Sequence, residues 1–286
     1  MRTPNGISQP LSPATGVLAL PAMGLVIALV AGCSSGGPSA GPTPAPTGSQ
    51  SGRQAQAPER LTAKVQSVGA FNPEYFTQGL EVDADGSLLI GTGQYGESAI
   101  YRVDPATMEV RQQADMEPDL FGEGITRVDD TIWQLSWKAG EAIQRDASTL
   151  KEISRASYEG EGWGLCNLGN ELALSDGSPE LRLLNPATFE EISRVTVTLE
   201  GKPVGNINEL ECVDGQIYAN VWMEKEIIRI DPTTGAVTEV IDTTEVANNA
   251  EPDPDNVLNG IAHIPDTDAF YLTGKRWPDL YTVTFE

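Results

Sequence analysis

The sequence predicts an all-β fold, a five-bladed β-propeller that is closed by an N-terminal strand in its last blade. Two observations predict it: an internal repeat, and an alternation of apolar and polar residues with a period of two, which is typical of strands. Five similar segments each carry one aligned apolar residue, namely Leu80, Ile125, Leu165, Leu210 and Ile261. These residues lie 45, 40, 45 and 51 positions apart. Repeats of roughly 40 to 50 residues made of short strands are typical of propeller blades.

Each repeat predicts four strands in the same order. The first repeat begins with a short apolar strand, GLEV at 79–82, and a turn at Asp85-Gly86 leads into LLIGTG at 88–93. A third strand follows and runs into an Asp or Asn turn, as in YRVDPAT. A fourth, more polar strand such as EVRQQADM completes the unit, and we expect it on the outside of each blade.

The last repeat stops at LYTVTFE, so its fourth strand is missing. The segment before the first repeat, LTAKVQSVGAF at 61–71, resembles one of the fourth strands. We therefore expect residues 61–71 to pair as the outer strand beside the strand that contains 280–285. Such a pairing closes the ring and covers sheet edges that would otherwise be exposed. The alternative, an open β-sandwich, does not explain the register of the repeats.

The N-terminus predicts a lipoprotein signal peptide over residues 1–32. Residues 17–32 are apolar and uncharged, and this run is too short and too close to the N-terminus for a membrane span but typical of a secretory signal. The run is followed by Cys33 in the sequence VAGC, which resembles a bacterial lipobox. We therefore expect Cys33 to be lipidated and the protein to be extracytoplasmic, anchored to the cell membrane. The alternative is an ordinary signal peptide followed by an incidental cysteine.

Composition divides the rest of the chain into a tether and one folded domain. Residues 33–60 are predicted to be a flexible tether, because Gly, Pro, Ser, Thr and Ala dominate there and large apolar residues are absent. Residues 61–286 are then a single domain. The net charge of -23 argues against nucleic acid as a partner, since phosphate binding requires a basic surface.

The cysteines and histidines of the sequence limit which disulfides and metal sites the domain can form. The predicted domain contains Cys166 and Cys212, on the first strands of neighbouring repeats, so their side chains either face each other or face apart. Export permits a disulfide between them. His263 is the only histidine in the sequence. Because catalytic zinc sites usually use several His or Cys ligands, we expect no zinc-dependent catalysis.

One position of the repeat predicts a functional site. The first strand of each blade lies nearest the axis of a propeller, so its entry end lines one mouth of the central channel. Two residues before each aligned apolar residue, the repeats carry Gln78, Glu123, Trp163, Asn208 and Asn259. A purely structural repeat would use one residue type here, whereas these residues differ and most of them are polar.

The second strands run antiparallel to the first and are predicted to end at the same mouth. Their ends carry Trp137 and Lys138, Asp176, Trp222, and Lys275 with Trp277. A cleft with aromatic walls and a few polar groups is typical of a small-ligand site. The alternative is that the tryptophans fill the core between blades.

Several motifs carry a family resemblance. FTQGLE, FGEGIT, QLSWK, GEGWGL, NELE, YANVW and TGKRWP resemble the plant and bacterial glutaminyl-peptide cyclotransferase family, over residues 65–286. The resemblance implies a five-bladed propeller unrelated to the zinc-dependent animal enzymes. It further implies conversion of N-terminal glutamine in peptides to pyroglutamate with loss of ammonia, without a metal or other cofactor. The expected partners are peptides or proteins with N-terminal glutamine, and we expect a monomer.

The resemblance also implies roles for individual side chains. Glu123 in FGEG corresponds to the acid/base carboxylate of the family. The other matched pocket positions are Gln78, Phe121, Trp137, Trp163, Asn208, Trp222 and Lys275. We further expect Gly122 and Gly124 to let a substrate approach the backbone closely.

The chemistry agrees with this set of residues. The substrate amine must attack its own side-chain amide, so the enzyme must first hold a folded conformer, which aromatic walls can do. One carboxylate can accept the amine proton and pass it to the leaving ammonia. Lys275 or the amide of Asn208 is expected to donate a hydrogen bond to the oxyanion, and both alternatives remain open.

Two other functions compete with this one. A non-catalytic, membrane-anchored scaffold or ligand-binding lipoprotein would have a channel without a carboxylate placed against aromatic rings. A metal-dependent hydrolase would need several Asp, Glu or Asn side chains around one ion. The acidic loop at 245–256 is compatible with peripheral calcium or, more simply, with solvent exposure.

Overall fold

The computed structural model describes residues 57–286, and the regular secondary structure of this part of the chain consists entirely of strands. The predicted all-β class is confirmed. No helix that could cross a membrane is found within the described range. The predictions for the signal peptide, for Cys33 and for most of the tether lie outside these residues.

The strands follow the predicted order of repeats, after an initial long strand, β1 (Glu59–Ala70). The first two units are β2 (Thr77–Val82), β3 (Leu88–Thr92), β4 (Ala99–Val103), β5 (Val110–Asp115), and β6 (Gly122–Val128), β7 (Thr131–Ser136), β8 (Glu141–Asp146), β9 (Glu152–Ser157). The third unit is β10 (Leu165–Asn167), β11 (Leu172–Leu174), β12 (Glu180–Leu184), β13 (Glu191–Thr196), and a hairpin of β14 (Thr198–Leu199) and β15 (Lys202–Pro203) follows it. The fourth unit is β16 (Ile207–Val213), β17 (Gln216–Val221), β18 (Glu226–Ile230), β19 (Val237–Asp242), and the last is β20 (Leu258–His263), β21 (Ala269–Gly274), β22 (Asp279–Phe285).

The first three units are separate four-stranded antiparallel sheets, and the last two share one eight-stranded sheet. The first strands β2, β6, β10, β16 and β20 contact one another in chain order, and β20 also contacts β2. The five first strands therefore form a closed ring of contacts around a common centre. The aligned apolar residues of these strands are all buried, so the apolar position that recurs in each repeat lies in the core.

Strand β1 completes the last unit as expected. It also pairs with a strand of the fourth unit, which the sequence pattern did not predict. Residues 63–70 pair antiparallel with β22, from Ala63 opposite Phe285 to Ala70 opposite Asp279, so the predicted pairing is confirmed. The preceding residues 59–62 pair in parallel with β19 of the fourth unit. One continuous strand thus joins two units through backbone hydrogen bonds, which makes the eight-stranded sheet.

The two cysteines are joined by a disulfide. Cys166 in β10 and Cys212 in β16 have Cα atoms 5.4 Å apart, within the usual range for such a bond. Their side chains therefore face each other across neighbouring units. The bond adds a covalent link between the third and fourth units, 46 residues apart in the sequence.

Three carboxylates also tie the first strands together, of which Glu209 and Glu211 are buried and Glu81 is partly buried. Glu209 accepts hydrogen bonds from the backbone N–H groups of Leu80 (3.2 Å) and Ile261 (2.9 Å), which belong to two other units. Glu211 and Glu81 accept in the same way from N–H groups of neighbouring first strands. Burial raises the pKa of Glu209 and Glu211 well above the ordinary value, and it raises the pKa of Glu81 from 4.5 to about 7.

This burial predicts that folding stability depends on pH. A carboxyl group whose pKa is higher in the folded state contributes most below its unfolded pKa, and that contribution is lost as pH rises through the folded pKa. For Glu81 the window runs from 4.5 to about 7. We expect the melting temperature to fall across this window, and to fall less steeply in Glu81→Gln, which stays neutral. Equal slopes for the two proteins in a thermal melt series would contradict the assignment to Glu81.

Candidate active site

The ends of the inner strands surround a cavity of about 290 Å³. It is lined by Phe76, Gln78, Gln94, Phe121, Glu123, Trp137, Trp163, Asn208, Trp222, Asp255 and Lys275. All eight pocket residues predicted from the sequence are in this set. The strand register explains the convergence, because Gln78, Glu123 and Asn208 occupy equivalent positions of β2, β6 and β16. The side chains that follow β7, β17 and β21 complete the wall.

Five of the eleven residues that line the cavity are aromatic. Trp163 and Trp222 meet edge to face with ring centroids 5.8 Å apart. Phe121 packs against Trp137 at 5.4 Å and against Phe76 at 6.1 Å. Edge-to-face contacts of this kind give the rings a defined orientation. The cavity therefore combines a shaped aromatic wall with six polar or charged side chains.

Glu123 is held by a chain of amides that crosses three units. Its Oε1 accepts a hydrogen bond of 3.0 Å from Nε2 of Gln78. The Oε1 of Gln78 in turn accepts from Nδ2 of Asn259 at 3.1 Å, and the same nitrogen donates to the Thr77 carbonyl at 3.0 Å. Asn259 does not line the cavity, although it shares the predicted inner position. Its contacts orient the Gln78 amide so that the NH2 group faces Glu123.

Glu123 and Lys275 have opposite charges and are both buried in the wall. Burial raises the pKa of Glu123 well above 4.5; the nearby Lys275 opposes this shift and Glu161 adds to it. Burial lowers the pKa of Lys275 from 10.5, which Glu123 and Asp255 partly oppose. The two pKa values thus move toward each other, which is a common feature of acid/base sites.

Lys275 and Asn208 present polar atoms that lack partners among the described residues. Lys275 makes no ion pair within 4.0 Å with any carboxylate of residues 57–286, and its Nζ lies 5.0 Å from the centroid of the Phe76 ring. The Oδ1 atom of Asn208 is buried without a hydrogen-bond partner among the described residues. An unpaired buried acceptor is costly, so this oxygen is suited to an N–H group of a bound ligand.

Comparison with known proteins identifies the family. Residues 41–285 match the family model described as glutamine cyclotransferase. The chain belongs to the glutamine cyclotransferase family. The glutaminyl-peptide cyclotransferase of Arabidopsis thaliana is 32% identical over 216 residues, which are 74% of this chain and 68% of that protein. The crystal structure of Myxococcus xanthus glutaminyl cyclase is similar with 33% identity and a TM-score of 0.76, and the match covers 80% of this chain and 98% of that one.

Besides Asn259, three residues expected at the mouth lie outside the cavity of this family member. Trp277 is buried in the core of the last units, and its Nε1 donates to the Asn256 carbonyl at 3.2 Å. Asp176 faces Arg182 at 3.7 Å. Lys138 does not line the cavity, and its Nζ lies 3.7 Å from the centroid of the Trp137 ring. Each stands two residues or more beyond a strand end, where strand register no longer determines the direction of a side chain.

The glycines beside Glu123 do not make room for a substrate, so that prediction is wrong. A Cβ atom on Gly122 would lie 2.5 Å from the carbonyl oxygen of Thr92. A Cβ atom on Gly124 would lie 2.7 Å from the backbone nitrogen of Leu165. Both positions therefore need glycine because neighbouring strand backbones approach them closely. This tight packing positions Glu123 between them.

Sequence reasoning missed four residues of the site. Phe76, Gln94 and Asp255 line the cavity, and Glu161 contacts two of its tryptophans. Phe76 stands at the start of the FTQGLE motif, and Glu161 stands in GEGWGL, so both lay within motifs that had been singled out. Gln94 and Asp255 lie in loops and do not occupy a position that recurs in the repeats. Within residues 57–286, no group of three or more His, Cys, Asp and Glu side chains is placed to hold a metal ion.

Proposed function

We propose that this protein is a glutaminyl-peptide cyclotransferase, which converts the N-terminal glutamine of peptides to pyroglutamate and releases ammonia. The observation that carries the proposal is a buried carboxylate, Glu123, placed with Lys275 in an aromatic cavity of a chain that belongs to this family. Relatives that share about a third of the sequence are named for the same activity.

The reaction needs one proton carrier. The substrate α-nitrogen attacks its own side-chain amide carbon, a C–N bond forms in the five-membered ring, and the bond to the departing nitrogen breaks. In this proposal ionised Glu123 accepts a proton from the amine and then donates it to the leaving nitrogen, so that ammonia departs. A carboxyl group with a raised pKa suits both steps, because acid/base catalysis is most effective when the pKa lies near the working pH.

The remaining pocket groups are proposed to bind and orient the substrate. Ring closure is intramolecular, so holding the glutamine side chain folded back on its amine removes much of the entropic barrier. The rings of Trp137, Trp163 and Trp222 line a cavity of about 290 Å³ that can enclose such a conformer. The unpaired Oδ1 of Asn208 favours a role as acceptor for a substrate N–H group. We propose Lys275 as the donor to the oxyanion.

The activity is tested by measuring ammonia released from a Gln-initiated dipeptide, with an N-acetylated version of the same dipeptide as control. The acetylated amine cannot attack, so we expect ammonia from the first peptide alone. No metal takes part in the proposed steps, and turnover should persist in a chelator. A protein that binds the dipeptide without releasing ammonia would instead be a ligand-binding lipoprotein or scaffold.

We further propose that the five units are the blades of a five-bladed propeller and that its central mouth holds the site. Support comes from the five four-stranded units, the closed ring of first strands and the closure of the last unit by β1. An experimental structure in which the first strands do not surround one axis would overturn this architecture.

We also propose that the protein is extracytoplasmic and anchored through a lipid on Cys33. The support is the lipobox-like sequence that ends at this cysteine. Replacing Cys33 with serine is expected to release the protein from the membrane or to stall its processing. The measurement is detergent phase partitioning of cells that express either form. Equal retention of both forms in the detergent phase, with both processed to the same length, would remove the anchor.

A further inference from the structure

One carboxylate outside the predicted pocket binds two of its tryptophans. The Oε2 atom of Glu161 accepts a hydrogen bond of 2.7 Å from Nε1 of Trp137 and one of 2.9 Å from Nε1 of Trp163. Trp137 follows β7 of the second unit, whereas Trp163 precedes β10 of the third unit. A single oxygen atom therefore links two cavity walls that come from different sheets.

The second oxygen of Glu161 has a different neighbour. Its Oε1 lies 3.7 Å from Nζ of Lys138, and the same ammonium group lies 3.7 Å from the centroid of the Trp137 ring. Trp137 is thus contacted at its N–H edge by the carboxylate and on its face by the lysine. Since both charged side chains are partly exposed, the ion pair itself adds little stability. The hydrogen bonds to the indoles remain the stronger restraint, because a charged acceptor strengthens them.

The loop that carries Glu161 is itself held by a buried arginine. Arg182 in β12 donates hydrogen bonds of 2.6 Å from Nη1 to the Glu159 carbonyl and of 2.6 Å from Nη2 to the Glu161 carbonyl. Its side chain is only 3% exposed. Residues 158–164 have no regular secondary structure, and these two bonds hold the loop together with backbone bonds such as that from the Gly162 N–H group to the Trp137 carbonyl at 3.0 Å. The carboxylate is consequently presented to both indoles from an ordered backbone.

We propose that Glu161 is a positioning residue for the cyclisation reaction, which sets the orientation of the Trp137 and Trp163 rings that fold the substrate. This inference rests on the proposed cyclotransferase function. An intramolecular reaction depends on the angle of approach, so a wall that rotates or shifts loses rate even when the catalytic carboxylate is intact. The geometry requires an acceptor at this position, and it does not require that the acceptor be charged.

Two substitutions separate the acceptor from the charge. Glu161→Ala removes the acceptor, and we expect kcat/KM for a Gln-initiated dipeptide to fall roughly 10- to 100-fold, as for a misplaced substrate. Glu161→Gln keeps an oxygen that can accept from both indoles, and we expect most of kcat/KM to be retained at the optimal pH. Glu159→Ala is the matched control, since this glutamate is exposed on the same loop, and it should behave as the wild type.

The pH profile of kcat/KM distinguishes this role from a purely structural one, because replacing a purely structural residue would not shift the profile. The negative charge of Glu161 helps to raise the pKa of Glu123. Removing that charge makes ionisation of Glu123 easier, so the limb of the profile that follows Glu123 should move to lower pH. Both Glu161→Gln and Glu161→Ala should show this shift, whereas only Glu161→Ala should lose rate at the optimum.

Tryptophan fluorescence tests the contact without any turnover. The sequence contains five tryptophans, and two of them lose a charged hydrogen-bond partner in Glu161→Ala. We expect a changed emission spectrum in this variant and not in Glu159→Ala. If the wild type released no ammonia, the proposed activity would fail while the spectra still reported on the positioning contact.

Trp137→Phe tests the same contact from its other side, by deleting one donor while keeping an aromatic ring. If Glu161 acts through the indole N–H, the double variant with Glu161→Ala should lose less than the product of the two single losses. Independent, multiplicative losses would overturn the proposal. So would wild-type kcat/KM and wild-type emission in a folded Glu161→Ala protein, as judged by its melting temperature.

Discussion

Glu123→Gln is expected to lower kcat/KM for a Gln-initiated peptide by about 100- to 10,000-fold, the usual contribution of general acid/base catalysis. Glutamine has nearly the same size as glutamate, and its Oε1 can still accept the hydrogen bond from Nε2 of Gln78. It cannot take up and return a proton. Turnover should therefore be lost while the fold and peptide binding are largely retained, which is measured by ammonia release beside a binding titration.

The control for this substitution is Glu159→Gln, which removes one negative charge from the exposed surface near the site. It should leave kcat/KM unchanged. Near-normal turnover by Glu123→Gln would show that another group carries the proton. A Glu123→Gln protein that fails to fold would instead assign this side chain a structural role among the first strands.

Lys275→Met is expected to reduce kcat/KM by roughly 100- to 1,000-fold, as the loss of one oxyanion donor does in other acyl-transfer sites. Methionine is similarly long and suits a buried position beside Phe76, so the cavity wall should persist. The ammonium group also helps to keep the pKa of Glu123 down. Without it that pKa should rise further, and the limb of the pH profile that follows Glu123 should move to higher pH.

The matched control for this experiment is Lys151→Met, which removes an exposed lysine far from the cavity lining. It should change neither the rate nor the profile. A Lys275→Met enzyme that loses rate but keeps the wild-type pH limb would separate the oxyanion role from the charge effect on Glu123. Full activity in Lys275→Met would leave the amide of Asn208 as the remaining donor.

Much of the fold and most of the pocket could be predicted because both depend on a repeat. In each unit the alternation of apolar and polar residues determines which side of a strand is buried, and the aligned position then determines which side chain reaches the mouth. Gln78, Glu123 and Asn208 agree with that register, whereas Asn259 shares the position and lies outside the cavity. Residues beyond the strand ends were less predictable, since the direction of Trp277 depends on how its turn packs.

By itself, the sequence determined the all-β class, the order of the strands and the membership of the eight predicted residues in one cavity. The all-β class and the order of the strands follow from local periodicity, which every unit of the chain repeats, whereas the full set of eight residues, Phe121 among them, follows from the resemblance to the family. Family membership also rests on the sequence, through motifs that span the repeats and a family match over residues 41–285.

Only the tertiary structure decided which long-range contacts are made. It joined Cys166 to Cys212, paired the first residues of β1 with β19, and brought the carboxylate of Glu161 to the indoles of two units. A period of two residues says which face a side chain occupies, but not which partner lies opposite on another sheet. Those partners depend on how the units pack around their common centre, and the hydrogen bonds that orient the tryptophans exist only after that packing is complete.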